Sequence, residues 1–151
     1  MDIVEQLERT KAETLKYFDL ADADLLKTYG PGKWSVRYLL HHLTDSETVF
    51  YYRIRRVLSE PKQVVWVYDQ DAWANALDYS TTPLALAKSI YASSRGGNMH
   101  YARLHYERSH ELTFVHSETG LRTLKDEFDK IVSHNQHHVD DIIKALQRPS
   151  S

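Results

Sequence analysis

Apolar residues recur at helical spacing in four long segments of the chain, and breaks rich in Gly, Pro, Ser and Thr separate these segments. Ser35 and Thr123 are suited to cap the second and fourth segments, and Pro83 suits the first turn of the third. A short helix is also predicted at Asp71 to Leu77. The pattern predicts four long helices, at Asp2 to Lys27, Val36 to Ser59, Pro83 to Tyr106 and Leu124 to Gln147.

No segment has the length and alternation typical of a strand, and "QVVWVY" (63–68) is the only candidate. Four amphipathic helices in 151 residues predict an all-α fold, a four-helix bundle with long inter-helix loops. One domain over residues 1–151 is expected from this length. The connections after the second and third helices are longer than a minimal bundle needs, and long ordered loops often shape a binding site.

Gly96 and Gly97 lie inside the third predicted helix, where each glycine costs about 1 kcal/mol relative to alanine. One interpretation is a break or kink of the helix at this point. The other is that the missing side chains leave room for a neighbouring backbone or for a pocket.

The chain is nearly neutral, with 19 Lys and Arg against 21 Asp and Glu. The basic run "RIRR" (Arg53 to Arg56) is interpreted as a solvated helix face, so no nucleic-acid partner is expected. The N-terminal segment is charged and amphipathic and resembles neither a signal peptide nor a membrane span, so we expect a cytoplasmic protein without a membrane partner. The chain has no cysteine, so any reacting thiol must come from another molecule.

Three histidines of the fourth predicted helix lie in "SHNQHHVDD" (133–141). His134 and His138 lie on one flank of the apolar stripe, about 100° from its centre, and can converge on one point. His137 points away from the stripe. On the second predicted helix, His42 occupies the matching flank and His41 faces nearly the opposite way.

Packing of these two helices through their stripes would bring His42, His134 and His138 together at the edge of the core. Three histidines without a fourth protein ligand leave coordination positions open, as a catalytic metal site requires. We expect a divalent metal, Zn or Ni first, with Mn or Fe as alternatives. A His-x-x-x-His pair such as His134 and His138 also arises by chance in a chain with nine histidines. The remaining histidines considered are expected on the surface: His41, His100, His105, His110 and His137.

Glu47 falls within the apolar stripe of the second predicted helix, where an unpaired carboxylate is costly. Three roles are open from the sequence. The carboxylate can serve as a general base, orient an imidazole, or form an ion pair with an arginine across the bundle.

Four motifs spread over most of the chain resemble those of one known superfamily. "KWSVRYLLHHLTDSE" (33–47) resembles its Trp-Ser/Thr-x-Arg helix start and the following His-Leu-x-Asp, and "HNQHH" (134–138) resembles its C-terminal His-x-x-x-His. "YDQDAW" (68–73) is similar to a Tyr-Asp-Glu-x-x-Trp segment, and "FVHSETG" (114–120) is similar to Phe-x-His-Pro-Glu-x-Gly. Together these motifs resemble the DinB superfamily and, within it, the YfiT-like branch.

The resemblance implies a DinB-like four-helix bundle with a divalent metal on His42, His134 and His138. Members are often homodimers, so we expect a homodimer, with Tyr51 or Tyr52 as exposed aromatic residues for the partner. Some members are thiol S-transferases that use bacillithiol, and a related branch includes a mycothiol-dependent isomerase. Many others are regarded as metal-dependent hydrolases without a known substrate.

The chain departs from the YfiT-like pattern around the expected metal site. Ser133 and Asn135 replace a Trp and a Gly of the branch, and Asp141 replaces a further His. Glu47 stands where a His is expected, and a Leu-His-x-Arg-Trp segment is reduced to Arg95. The three ligands are kept while their surroundings differ, which bears on the substrate more than on the metal.

We expect a metal-dependent transferase or hydrolase that acts on a small-molecule substrate. The metal would activate a low-molecular-weight thiol or a water, and Glu47 or Asp141 would orient the nucleophile or accept its proton. The electrophile would lie in a pocket bounded by the Tyr68 to Trp73 loop and the third helix. The alternatives are a non-catalytic metal- or ligand-binding stress-response protein of the same fold, and a helical scaffold without metal.

Overall fold

Four long helices form the bundle, and two short helices and a three-stranded sheet lie in the connections between them. The computed structural model describes residues 1–149. The predicted helical bundle with long inter-helix loops is confirmed, and no helix among the described residues is long and apolar enough to cross a membrane. The elements in chain order are α1 (Ile3–Tyr17), α2 (Asp22–Leu25), α3 (Val36–Ser59), β1 (Val64–Val65), α4 (Gln70–Ala76), α5 (Leu84–His105), β2 (Thr113–His116), β3 (Gly120–Thr123) and α6 (Leu124–Gln147).

The two helices that carry the histidines begin at the caps that the sequence predicts. Ser35 Oγ accepts a hydrogen bond from the backbone N–H of Tyr38 at the start of α3. Thr123 and Asp126 form a reciprocal capping box at the start of α6. Each cap satisfies backbone donors that a helix leaves free at its first turn. Both helices begin and end at the predicted residues.

The first predicted helix is wrong at its C-terminal end, since α1 stops at Tyr17 rather than continuing to Lys27. The backbone N–H groups of Asp19 and Leu20 bond to carbonyls three residues back, which forms a turn, and α2 follows as a separate helix. Phe18 and Leu25 are nevertheless buried in the same apolar cluster. The apolar spacing therefore continues through the turn and hides it.

The prediction that the chain has no strands is also wrong, because β1, β2 and β3 form one small sheet. Val64 and Val65 of β1 pair in parallel with Val115 and His116 of β2, and β2 pairs with β3 in antiparallel fashion. The strands have only two to four residues each, and β1 pairs with a strand about fifty residues further along the chain. Neither feature leaves a periodic signal in the sequence.

Of the two interpretations of Gly96 and Gly97, the break or kink is wrong, since α5 is continuous through both glycines. A Cβ added at Gly97 would lie 2.6 Å from Cε2 of Tyr51 on α3. Gly97 therefore lets an aromatic ring of the neighbouring helix approach the backbone of α5. Tyr51 is half-buried as a result, while Tyr52 is exposed.

Buried apolar residues form two clusters at opposite ends of the bundle. One cluster lies at the sheet end and includes Leu7, Phe50, Phe114 and Ile131. The other includes Phe18, Leu39, Leu43 and Ile142. The polar residues described next lie along the helices between these two clusters.

Candidate metal centre

The three histidines expected to bind a metal are brought together between α3 and α6. His42 Nε2 lies 3.1 Å from His134 Nε2. One ring nitrogen each of His42, His134 and His138 lies within 4.8 Å of the other two. Two nitrogens bound to one tetrahedral zinc at its usual distance are about 3.4 Å apart. Small rotations of the rings would therefore let the three nitrogens bind one ion.

All three imidazoles are held in the neutral form. Burial, together with the neighbouring His138, lowers the pKa of His42 to about 3. Burial and the other two rings lower the pKa of His134 to about 2, and burial followed by the nearby His137 lowers that of His138 to about 4. Neutral imidazole has the free lone pair that a metal requires. The cluster therefore fits a divalent metal at neutral pH.

Aromatic side chains surround the histidines. The ring centroid of Trp34 lies 5.2 Å from that of His42, and the centroid of Phe50 lies 5.8 Å from that of His134. Trp34 precedes the cap of α3, so the "KWS" motif places an indole beside the first histidine. An aromatic ring therefore packs against each of these two histidines.

Tyr68 and Ser46 hold His42 from the side opposite the cluster. The Tyr68 hydroxyl lies 3.4 Å from His42 Nδ1 and 2.6 Å from Ser46 Oγ. Burial raises the pKa of Tyr68 to about 12, so the phenol keeps its proton. When His42 Nε2 binds a metal, Nδ1–H can donate to the Tyr68 oxygen, and the Tyr68 hydroxyl can donate to Ser46. This series of hydrogen bonds fixes the tautomer of His42.

Asp141 is buried behind His138 rather than inside the cluster. Its Oδ2 lies 3.7 Å from His138 Nδ1, slightly beyond hydrogen-bond distance. That nitrogen is buried and has no hydrogen-bond partner among the described residues. A carboxylate in this position favours a proton on Nδ1 and so leaves the other nitrogen of His138 free to bind a metal.

Glu47 is held in an ion pair across the bundle, which is one of the three roles left open by the sequence. Its carboxylate accepts hydrogen bonds from Arg95 and from Asn98 Nδ2, the latter at 2.9 Å. Arg95 also donates to Thr10 Oγ1 at 2.7 Å and to Asn135 Oδ1 at 2.9 Å. We call these five residues the Arg95 network. Glu47 lines neither of the cavities described below.

The other histidines largely follow their predicted positions, with one correction. His137, His100 and His110 are exposed, and His105 is half-buried. His41 is buried, although it was expected on the surface, because the loop after α4 covers it. Its ring stacks on that of Tyr79, with centroids 5.0 Å apart. The helical spacing of α3 carries no information about this loop, so the sequence does not predict the contact between His41 and Tyr79.

A cavity of about 200 Å³ adjoins the histidines. It adjoins a larger groove of about 590 Å³, with which it shares Val49, Arg53, Val67 and Tyr68. The loop from Tyr68 to Trp73 borders this space, as expected. The expected wall from the third long helix, α5, is wrong, because neither cavity is lined by a residue of α5. The side chains that line the smaller cavity include His42, His134, Tyr68, Arg53, His116 and Lys130.

Arg53 was interpreted as part of a solvated basic face, and this is wrong. Its side chain is buried, although the neighbouring Arg55 is exposed. Phe50, Arg53 and Ile54 follow the spacing of the apolar stripe of α3, so the helical pattern itself would have identified this arginine as buried.

Comparisons with known proteins agree on one family. The sequence matches the DinB superfamily over residues 6–142. A protein of Oceanobacillus iheyensis is 33% identical over 134 residues, covering 87% of this chain and 75% of its own length. A protein of Bacillus cereus is 30% identical over 147 residues, covering 96% of this chain and 82% of its own length. Both are named putative metal-dependent hydrolases.

A solved structure is similar over almost the whole chain. YfiT from Bacillus subtilis superposes with a TM-score of 0.85 at 27% sequence identity, covering 95% of this chain and 83% of that structure. It is described as a probable metal-dependent hydrolase with an unusual four-helix bundle topology. The family match of the sequence and the superposition of the structure therefore indicate the same fold.

Proposed function

The chain belongs to the DinB superfamily, and we propose that it is a metal-dependent transferase or hydrolase whose divalent metal is bound by His42, His134 and His138. The observation that carries the proposal is the convergence of three neutral imidazoles, one buried and two half-buried, of which His42 and His134 line a cavity. Among residues 1–149, no fourth His, Asp or Glu joins this group. A three-ligand site leaves room for a reactant.

A divalent metal in this site supplies Lewis acidity, which lowers the pKa of a thiol or water so that a nucleophile forms near neutral pH. Zn and Ni are the proposed metals, with Mn and Fe as the alternatives; imidazole ligands suit Zn, Ni and Fe. The chain has no cysteine, so a reacting thiolate would come from a low-molecular-weight cosubstrate.

The surrounding residues position the ligands and exclude water in this proposal. Tyr68 and Ser46 fix the tautomer of His42, and Asp141 does the same for His138. Trp34 packs against His42, and Phe50 packs against His134. Dry surroundings strengthen the electrostatic interactions between a nucleophile and its site.

The proton of the nucleophile needs an acceptor near the cavity. Asp141 and Glu47 do not line the cavity, so we assign Asp141 a positioning role through His138. Glu118 is the carboxylate that does line the cavity, and we propose it as the proton acceptor. The nucleophilic sulfur or oxygen then forms a bond to the electrophilic carbon, and the leaving group departs with the electrons of the broken bond.

The proposal is tested by assaying the zinc- and nickel-loaded protein with a panel of low-molecular-weight thiols, including bacillithiol, and aryl halide electrophiles. Hydrolysis of p-nitrophenyl esters is measured in parallel. We expect one of these reactions to require metal and to be lost in His138→Ala. His137→Ala removes a neighbouring exposed histidine of the same helix and is expected to retain the rate.

A rate that persists in the metal-free protein or in His138→Ala would contradict the proposed role of the histidines. A metal-loaded protein without either reaction, and with no exchangeable coordination position, would contradict catalysis and favour a metal-binding protein of the same fold.

We also propose a homodimer, on the basis of the family and of the exposed Tyr52. Light scattering should then give twice the chain mass of 17.6 kDa. A mass of one chain would contradict this.

A further inference from the structure

The small cavity beside the histidines is also lined by three nitrogen-bearing side chains that the proposed chemistry does not use. These are Arg53, His116 and Lys130, and they share the lining with Glu118, the proposed proton acceptor. Lys130 precedes His134 by four residues on α6, so the two residues are about 6 Å apart along the helix axis and lie on the same face. Three nitrogen-bearing side chains therefore share a small space with the candidate metal centre.

Arg53 is a buried cation whose nearest carboxylate makes no hydrogen bond to it. Its Nη2 donates to the carbonyl oxygen of Trp66 at 2.9 Å. Its Nη1 lies 3.9 Å from Glu127 Oε2, which is too long for a hydrogen bond. Buried charges are normally paired and hydrogen-bonded. The guanidinium of Arg53 is therefore only partly compensated.

Glu127 supplies only part of the missing compensation. The residue is fully buried, and neither carboxylate oxygen has a hydrogen-bond partner among residues 1–149. Burial raises the pKa of Glu127, against the opposing effect of Arg53 and Lys130. The carboxylate of Glu127 therefore lies near Arg53 without a direct hydrogen bond to it.

Lys130 is half-buried, and no carboxylate of the described residues lies within 4.0 Å of its ammonium group. Burial lowers the pKa of Lys130, as expected for an ammonium without a close partner. An anion in the cavity would supply that partner and favour the charged form.

His116 adds a neutral hydrogen-bond donor. Its Nδ1 accepts hydrogen bonds from the backbone N–H groups of Glu118 and Thr119, at 3.1 and 3.2 Å. In a neutral imidazole the proton must then lie on Nε2. Burial and the nearby Arg53, Lys130 and Arg122 lower the pKa of His116, which keeps the ring neutral. His116 therefore offers an Nε2–H donor with no acceptor among the described residues.

We propose that Arg53, Lys130 and His116 bind a carboxylate group of the substrate, next to the three-histidine metal centre. Two cations and one N–H donor match the acceptor oxygens of a carboxylate. Glu118, the acidic residue on this lining, is exposed and therefore screened by solvent, unlike the buried Arg53. The substrate class is thus a small molecule with a carboxylate and a metal-directed thiol or electrophile a few atoms apart. The inference deepens the proposed function and rests on it for the thiol or electrophile that the metal would bind.

The test compares pairs of thiols that differ only in charge. The zinc-loaded protein is titrated with 3-mercaptopropionate and 6-mercaptohexanoate, and with the corresponding alcohols, 3-mercapto-1-propanol and 6-mercapto-1-hexanol. We expect at least one acid to bind about tenfold more tightly than its alcohol, since hydrogen bonds to charged groups are the stronger ones. Equal affinity within both pairs would overturn the proposal.

Variants of Lys130 identify the groups responsible, because substituting the buried Arg53 risks misfolding. Lys130→Gln is expected to reduce the preference for the acid to below about threefold, and Lys130→Arg is expected to retain most of it. Lys125→Gln removes the same charge from the same helix outside the cavity and should leave the preference unchanged. A preference that survives in Lys130→Gln would contradict the assigned subsite.

A metal-free measurement separates this inference from the proposed function. Propionate and inorganic phosphate are titrated into the metal-free protein, and the ring nitrogens of His116 are followed by NMR. A saturable shift with propionate that is weakened about tenfold in Lys130→Gln supports the subsite even if no metal binds. Tighter binding of phosphate than of propionate would contradict a carboxylate. Absence of any shift, in a protein that does take up metal, would overturn the subsite and leave the proposed function intact.

Discussion

Two buried polar regions lie side by side in the bundle and differ in how their polar groups are satisfied. The Arg95 network joins α1, α3, α5 and α6 between the two apolar clusters. The histidine cluster lies between α3 and α6. Asn135 of the network is the residue next to His134, and Glu47 is five residues after His42.

The Arg95 network is largely paired internally. The carboxylate of Glu47 meets a guanidinium and an amide, and Asn135 accepts from Tyr91 and Arg95 while donating to Thr14 at 2.9 Å. The histidine cluster has three neutral rings that direct nitrogens at one another. Burial with partners indicates a structural role, whereas burial of converging lone pairs indicates a site that an external ion completes.

The largest effect is expected when the Arg95 network is broken. Arg95→Met leaves the Glu47 carboxylate buried without its cation, so the free energy of unfolding should fall by about 3–5 kcal/mol. Urea denaturation of the metal-free protein measures this. The double variant Arg95→Met with Glu47→Gln should recover part of the loss, because the buried charge is gone. A loss below about 1 kcal/mol would contradict a structural role for the Arg95 network.

Acid should destabilise the metal-free protein through the histidine cluster. The pKa of His138 is about 4 in the folded chain, against an ordinary value of 6.5, so between these values the unfolded chain binds the extra proton. Stability should therefore fall as pH decreases, by up to about 1.4 kcal/mol per pH unit for each such histidine. Urea denaturation between pH 7 and pH 4.5 should show a shallower slope for His138→Gln. Parallel curves would contradict the neutral cluster.

A smaller effect is expected from the carboxylate behind His138. Asp141→Asn should lower metal affinity by about 10- to 100-fold, since residues that orient a ligand typically contribute this much. Asp140→Asn is the matched control, because Asp140 is exposed and, among residues 1–149, accepts a side-chain hydrogen bond from Gln136 alone. Competition with a chromophoric chelator measures both affinities. Equal affinities in the two variants would remove Asp141 from the site.

The smallest effect is expected at Tyr68, whose hydroxyl lies at the long distance of 3.4 Å from His42 Nδ1. Tyr68→Phe should lower metal affinity less than about tenfold, and the same chelator competition detects it. Tyr52→Phe, a change on an exposed tyrosine, serves as the control. A loss as large as that of a ligand substitution would show that Tyr68 does more than hold the ring.

The sequence predicts the bundle and the positions of the histidines because both depend on short-range helical geometry. The caps of α3 and α6 lie within three residues of the groups they satisfy, and their helices begin where predicted. His134 and His138 are one turn apart, so their shared direction follows from the helical repeat.

The remaining features depend on distant contacts that carry no local signal. The ring of Tyr79 covers His41 from a loop nearly forty residues away, and β1 is a strand only because β2 pairs with it. The donor role of His116 requires the turn that follows it to fold back on Nδ1. The burial of Arg53, by contrast, follows from the spacing of the apolar stripe of α3, but the neighbouring basic residues obscured it.

The central claim is tested most directly by metal content. The untagged protein, His42→Ala and His137→Ala are equilibrated with Zn²⁺ or Ni²⁺, freed of unbound ions by gel filtration and measured by elemental mass spectrometry. The account predicts about one metal per chain in the parent and in His137→Ala, and almost none in His42→Ala, because only the converging histidines bind the ion. No uptake by the parent, or equal uptake by His42→Ala, would contradict it.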